Sequence, residues 1–298
     1  MKITELGEFG LIERIKKSFK TGKTVVKGVG DDCAVLEFDK SRYQLFTCDM
    51  LVEGVDFTAR QKPYLIGRKS LAVSLSDIAA CAGIPRYAVI SLGIPEKTTV
   101  SYLDKFIQGL KDIAREFKVD IVGGDISRSG RLTVDLSLLG LVEKKRLVLR
   151  CGAKPGDIIF VSGTLGGSIN GRHLKFRPRI NEARYLAENF KINSMIDISD
   201  GLAQDLGHIL KESRAGAVVY SRLIPQDKSC RGIEDALYSG EDFELLFSLS
   251  PKEAGRLLNK KSRIFSPIGY ITAQSEKLVL VCRGGREEVI KPHGYCHF

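Results

Sequence analysis

The sequence predicts a two-domain chain of the α/β (α+β) class. Its 298 residues suffice for two cores of ordinary size. Its apolar residues switch repeatedly between a helical period of about 3.6 and a strand period of about 2. A Gly/Pro cluster, Arg150-Cys151-Gly152-Ala153-Lys154-Pro155-Gly156-Asp157, separates two strand-like runs. The division is accordingly placed between an N-terminal domain, 1–148, and a C-terminal domain, 149–298, each expected to bury its own core.

Phe9, Leu11, Ile12, Ile15 and Phe19 fall at helical spacing after Thr4 and Glu5, which predicts an amphipathic helix over 6–20. β-Branched runs on both sides of Gly28-Val29-Gly30-Asp31-Asp32 predict strand structure over 25–38, and 43–47 alternates as a second strand ending at Asp49. Residues 64–82 are apolar around most of a helical circumference and rich in small side chains, so this helix is expected to be buried, with Asp77 inside it. A strand over 87–94, a helix over 100–117, a short strand over 121–124 ending at Asp125 and a strand over 133–141 complete the first half. The second half reads as a strand at 158–162, helices near 181–190 and 201–213, and strands near 217–221, 243–248 and 278–282, a mixed α/β pattern.

With 43% hydrophobic and 28% charged residues, the composition is that of a chain folded throughout. The amino terminus, MKITELGEFGLIERIKK, mixes acids and bases without an apolar core, and the apolar stretch 132–142 is short and interrupted by Asp135, so no leader or membrane span is expected. Seven cysteines are scattered without a CxxC pair, which fits a reducing, cytoplasmic setting rather than a disulfide framework. The formal charge of +10 is spread along the chain with few aromatics among the bases. That distribution suits the attraction of polyphosphates better than a nucleic-acid surface, and no nucleic-acid partner is expected.

Two segments imitate phosphate loops and fail. Gly22-Lys23-Thr24 would need its first loop glycine where Lys17 stands, and Gly28-x-Gly30 runs directly into two aspartates that would repel a pyrophosphate. What remains is a set of acids in Gly- or Ser-containing turns: Gly30-Asp31-Asp32, Thr47-Cys48-Asp49, Ser76-Asp77, Gly123-Gly124-Asp125 and Asp197-Ile198-Ser199-Asp200. A single Asp in such a turn is ordinarily a turn former or helix cap. Five together point to magnesium, a hard ion that bridges carboxylates to substrate phosphates and removes their mutual repulsion. Asp77 is the most telling, because an acid in an apolar helix is costly unless a metal or a base neutralises it.

Around these acids the chain resembles the thiamine-monophosphate kinases. The resemblance is carried, in family order, by Gly28-Val29-Gly30-Asp31-Asp32-Cys33-Ala34-Val35, Thr47-x-Asp49-x-Leu51-Val52-x-Gly54-Val55-x-Phe57, Lys69-Ser70-Leu71-Ala72-Val73-x-Leu75-Ser76-Asp77-Ile78-Ala79-Ala80 and Gly123-Gly124-Asp125. It continues through Gly152-Ala153-Lys154-Pro155-Gly156-Asp157, Ser162-Gly163-Thr164-Leu165-Gly166, Asp197-x-Ser199-Asp200-Gly201-Leu202, Ser239-Gly240-Glu241-Asp242-Phe243-Glu244-Leu245 and Gly294-Tyr295-Cys296-His297-Phe298. The resemblance implies the two-domain aminoimidazole ribonucleotide synthetase-like fold, with an N-terminal sheet domain that dimerises and binds ATP and magnesium, and a C-terminal mixed α/β domain. It further implies a homodimer that phosphorylates thiamine monophosphate with ATP.

By the same resemblance, several Mg2+ ions would be surrounded by Asp32, Thr47, Cys48, Asp49, Asp77, Asp125, Asp197 and Asp200. Gly124, Asp125, Arg150 and Ser199 would lie at ATP, and Asp77, Asp125 and Asp200 would be catalytic. The acceptor would meet Asp56, Glu241 and Tyr295; a carboxylate can neutralise a thiazolium cation and an aromatic face can attract it. Two positions depart from the family pattern: Asp56 replaces the usual His, and Cys48 stands where Thr or Ser is common, so a metal contact there would fall to its backbone carbonyl. The implied reaction is in-line transfer to a phosphate already ionised near neutral pH, which needs alignment and charge neutralisation rather than a strong base. The alternatives are another ATP-dependent synthetase of the superfamily, whose Gly-Val-Gly-Thr-Lys motif is absent, and a basic nucleic-acid-binding module.

Overall fold

The computed structural model describes residues 2–262 and 264–297. Phe298, the last residue of the carboxy-terminal motif, lies outside them. The chain builds two sheets. The N-terminal sheet contains β1 (Val25–Lys27), β2 (Ala34–Glu37), β3 (Arg42–Val52), β4 (Ile84–Ile94), β5 (Asp120–Arg128) and β6 (Thr133–Glu143), in the order β1-β2-β3-β6-β4-β5. Only the β4–β5 pair is parallel among these, joined through the crossover helix α3 (Val100–Phe117).

The C-terminal sheet runs β13-β12-β9-β11-β7-β10-β8. Its strands are β7 (Ile158–Ser162), β8 (Ile192–Asp197), β9 (Gly216–Tyr220), β10 (Leu245–Leu249), β11 (Phe265–Thr272), β12 (Leu278–Val281) and β13 (Glu287–Ile290). Helices α4 (Ile180–Asn189), α5 (Leu202–Ser213), α6 (Ile233–Tyr238) and α7 (Pro251–Asn259) accompany them. β8, β11, β13, α6 and α7 add to the elements expected from periodicity, and β3 and β5 run beyond the short strands expected there.

The helix that positions the chemistry is α2 (Pro63–Ala80). Proline at its first turn suits the helix start, where the missing N–H is not needed. It packs on α3 at glycine contacts: a Cβ on Gly67 would fall 1.9 Å from the Phe106 carbonyl oxygen, and one on Gly109 1.8 Å from that of Tyr64. Only glycine permits that approach. Its other sides meet β3 and β6 of one sheet and β8 and α4 of the other domain. One apolar cluster therefore runs from Leu45, Leu75 and Leu136 through to Phe160, Phe247 and Phe265. A separate core for each domain was the expectation; a helix buried all round needs walls on both sides, and here the two halves supply one each.

The amino-terminal helix, α1 (Ile3–Ser18), departs from its expected role. Its backbone breaks at Gly7 (φ +70°), and none of its residues is fully buried. Its apolar side is spent on a cleft rather than on a core. No helix among the described residues is long and apolar enough to cross a membrane.

Candidate active site

Strand alternation decides which acids meet. On β3, Leu45, Thr47 and Leu51 are buried toward α2, and Asp49 shares their parity. The Thr47 hydroxyl donates to Asp77 on α2, and the Ser74 hydroxyl of α2 donates to Asp49 at 2.6 Å. From the opposite side, β8 ends at Asp197, which accepts from the Ser76 hydroxyl at 2.6 Å. α2 thus holds acids from both sheets, and the carboxylates of Asp32, Asp77 and Asp197 offer oxygens within 4.8 Å of one another.

This concentration of charge in the interior raises the proton affinity of its members. Burial, then Asp49, Asp197 and Asp32, push Asp77 well above the usual carboxylate range. Burial and then Asp32 push Asp197 up to about 8, and burial also raises Asp49. Arg150 answers part of the charge: its Nη2 donates to Asp32 at 2.9 Å, and its backbone N–H reaches Asp31 at 3.2 Å. Asp32 Oδ2 is buried without a hydrogen-bond partner, as is Arg150 Nε. A set of hard oxygen donors, crowded, held ionisable by hydroxyls and with one acceptor orphaned, fits a Mg2+ site.

Beside this cluster opens a cleft of about 550 Å3 between α1, the 29–31 turn and α5. Arg150, Ser199 and Asp200 line it, together with Phe9, Asp205 and His208. Asp205 lies one turn into α5 and accepts from the backbone N–H groups of Asp200 and Gly201, both at 3.1 Å, which fixes the turn carrying Ser199 and Asp200. Burial, then Glu8, raises Asp200 to about 6. Burial, then Arg150, lowers His208 to about 4, so it is neutral where Phe9 packs against it, with ring centroids 5.1 Å apart.

Asp56, Glu241 and Tyr295 are brought together next to the same turn. The Glu241 N–H donates to the Ser199 carbonyl at 2.6 Å, and the Tyr295 N–H to that of Asp200 at 2.9 Å. The Tyr295 hydroxyl is raised by burial and then by Asp56, Glu241, Glu8 and Asp200. The Asp56 carboxylate accepts from the Val52 N–H at 2.7 Å, so in this chain it closes a turn of its own.

Cys48, Gly124 and Asp125 are not brought into the buried cluster. Cys48 has the other parity on β3 and donates its thiol to Asp135 at 3.1 Å. Asp125 pairs with Ser91, Ser91 with Asp135 and Asp135 with Met50, a row across the sheet on the side away from α2. Gly124, opposite Ile90, lies in the same exposed edge strand. Ser74 and Asp205, not singled out from sequence, also stand at the site, as do Asp31 and Ser76, which the motifs contain but to which no role was given. Ser74 and Ser76 carry the signal that marked Asp77, polarity inside an apolar helix.

Comparison with known proteins places the chain in a family. Residues 30–142 match the model of the AIR synthase related protein N-terminal domain, and 167–281 that of its C-terminal domain. The chain is 36% identical to thiamine-monophosphate kinase of Buchnera aphidicola subsp. Schizaphis graminum, with 99% of each covered. It is 35% identical to that of Escherichia coli (strain K12), with 98% of each covered. The structure of AaThiL complexed with AMPPCP and TMP superposes with a TM-score of 0.88 at 33% identity, covering 100% of this chain and 99% of that one. With both domain models matched in order and a relative aligned over 99% of its length, the chain belongs to the thiamine-monophosphate kinase family, on the two-domain fold of the AIR synthase related proteins.

Proposed function

We propose that this chain transfers the γ-phosphoryl group of ATP to thiamine monophosphate, giving thiamine diphosphate and ADP, by direct in-line attack. The observation that carries the reading is the buried set Asp32, Asp77 and Asp197, with Asp32 Oδ2 orphaned, in a chain so similar to thiamine-monophosphate kinases. The relative that holds AMPPCP and TMP supports a nucleotide and a phosphorylated acceptor as the two substrates.

Asp32, Asp49, Asp77 and Asp197, with Asp200 at the cleft, would hold Mg2+. The bound metal supplies neutralisation of the polyphosphate and of charge developing on the transferred group. The chain's own residues do the rest. Thr47, Ser74 and Ser76 fix the carboxylates by hydrogen bonds. Arg150, with a buried Nε still free to donate, faces the phosphates, and the cleft between α1 and α5 takes the nucleotide beside Ser199. Glu241 and Tyr295 receive the acceptor ring next to Asp56. No side chain is required as a strong base, since the attacking phosphate oxygen is already ionised. Roles for Gly124 and Asp125 at ATP, and for Asp125 and Cys48 at metal, rest on the family resemblance.

The reading includes a homodimer, a division of the chain at 148/149 and a cytoplasmic setting. Phe46, Met50, Tyr87 and Val89 stand 42–59% exposed on the side of the N-terminal sheet away from α2, and a second copy would cover them together with the polar Ser137 and Asp135 that lie among them. Seven free thiols suit a reducing compartment. The deciding experiment incubates purified protein with magnesium-ATP and, separately, thiamine monophosphate, thiamine and aminoimidazole precursors, then identifies products by mass. Thiamine diphosphate formed from thiamine monophosphate alone is the expected result; phosphorylation of free thiamine, or no transfer, overturns it.

A further inference from the structure

Lys69 is completely buried in α2. An ammonium in that position is expensive unless its charge and N–H groups are answered. Two groups answer it: the Asp56 carbonyl at 2.9 Å and Glu241 Oε1 at 2.5 Å. Both partners belong to the set proposed for the acceptor, and neither is near Lys69 in sequence. The contact also joins the halves of the chain, because α2 packs on the N-terminal sheet while Glu241 precedes β10.

Glu241 is held at every other point as well. Its φ of +55° lies in the left-handed region, sparsely used by a residue with a side chain. Its N–H donates to Ser199, and its carbonyl accepts from the Ser168 hydroxyl at 2.6 Å. With the backbone fixed and Oε1 taken by Lys69, Oε2 is left buried and without a hydrogen-bond partner. One oxygen is therefore anchored while the other is left without a partner inside the protein.

We propose that Lys69 is a positioning residue for the acceptor: it orients Glu241 so that Oε2 meets the fixed positive charge of the thiazolium ring, and it ties that contact to the helix carrying Asp77. Lys69 and Asp77 stand eight positions apart on α2, about 12 Å along a helix axis. One rigid element thus sets the spacing between the ring's counter-charge and the phosphoryl-transfer centre. The inference rests on the reading above that Glu241 faces the acceptor.

The test measures steady-state kinetics of Lys69→Met, Lys69→Arg and Glu241→Gln, varying acceptor and ATP separately, with melting temperatures alongside. The acceptors are thiamine monophosphate and 4-methyl-5-(2-phosphooxyethyl)thiazole, which lacks the fixed charge. Loss of one charge-assisted contact is worth roughly 10- to 100-fold. Lys69→Met should raise the thiamine monophosphate KM by about that factor, leave the ATP KM within about twofold, and reduce the preference for the charged acceptor. Lys69→Arg keeps the charge but displaces Glu241, and should give a smaller rise in the same KM, which decides the matter if Lys69→Met fails to fold. A merely structural ion pair would instead lower stability and kcat while leaving the acceptor KM and preference unchanged, and that result in the folded variants overturns the inference. If Glu241→Gln itself leaves the acceptor KM unchanged, the acceptor reading fails first; if it raises that KM and the Lys69 variants do not, only the role of Lys69 fails.

Discussion

The two faces of the N-terminal sheet use one strand to opposite ends. Toward α2, β3 sends Thr47 and Asp49 into a closed, hydroxyl-lined cluster of carboxylates. Away from α2 it shows Phe46, Cys48 and Met50, and the row from Met50 through Asp135 and Ser91 ends at Asp125. The lesson is that acids close in sequence motif need not be close in space. A period of two sorts them, and only the covered face gathers enough charge to demand a cation.

The sharpest way to break this comparison is to neutralise one acid on each face. Asp77→Asn should lower kcat on the order of 100- to 1000-fold, measured with saturating substrates. The same change removes an acid that the metal-free fold must protonate in order to bury, so the metal-free variant should melt higher than the parent, not lower. Asp125→Asn should cost activity roughly 10-fold; a loss as deep as that of Asp77→Asn would show that both faces serve one centre. Next in size, Met50→Asp should turn the proposed dimer into monomer in light scattering, since it sets a second carboxylate opposite Asp135 on that face. A dimer unchanged at micromolar concentration would leave that face without its expected partner.

The smallest effect is a pH dependence set by buried acids, those around the covered cluster among them. In the folded chain Asp197 titrates near 8 and Asp31 near 7, above the ordinary carboxylate value of about 4. Folded protein then holds more protons than unfolded, and the stability these groups contribute is lost as pH rises through about 7 to 8. Metal-free protein should melt a few degrees lower at about pH 9 than at about pH 7. Mg2+ should flatten or invert that slope, because it binds the deprotonated acids. A flat profile in chelator would count against the crowding described here.

Much of this was legible from sequence for a physical reason. Long periodic segments such as α2 and α3 carry their own signal, and α3 spans the expected 100–117. The family motifs brought Asp32, Asp49, Asp77 and Asp197 to attention together. β8 was not legible, because its short run holds Asn193 and Ser194; the latter's hydroxyl is paired in the interior with Ser248 at 2.8 Å, a partner no local pattern reveals. Lys69 stands inside a family motif, but nothing in its local sequence marks it, since only the fold shows that no solvent reaches it. The amphipathic pattern of α1 was visible, but what it covers depends on α5, almost two hundred residues away.

The apolar cluster that passes through α2 from one sheet to the other has a consequence for how the chain comes apart. Heat should melt both halves in one calorimetric transition, with no half-folded plateau, because opening either half strips a wall from the same helix. Fragments 1–148 and 149–298 made separately would each carry a raw oily surface and aggregate; mixed during refolding, they should rescue one another.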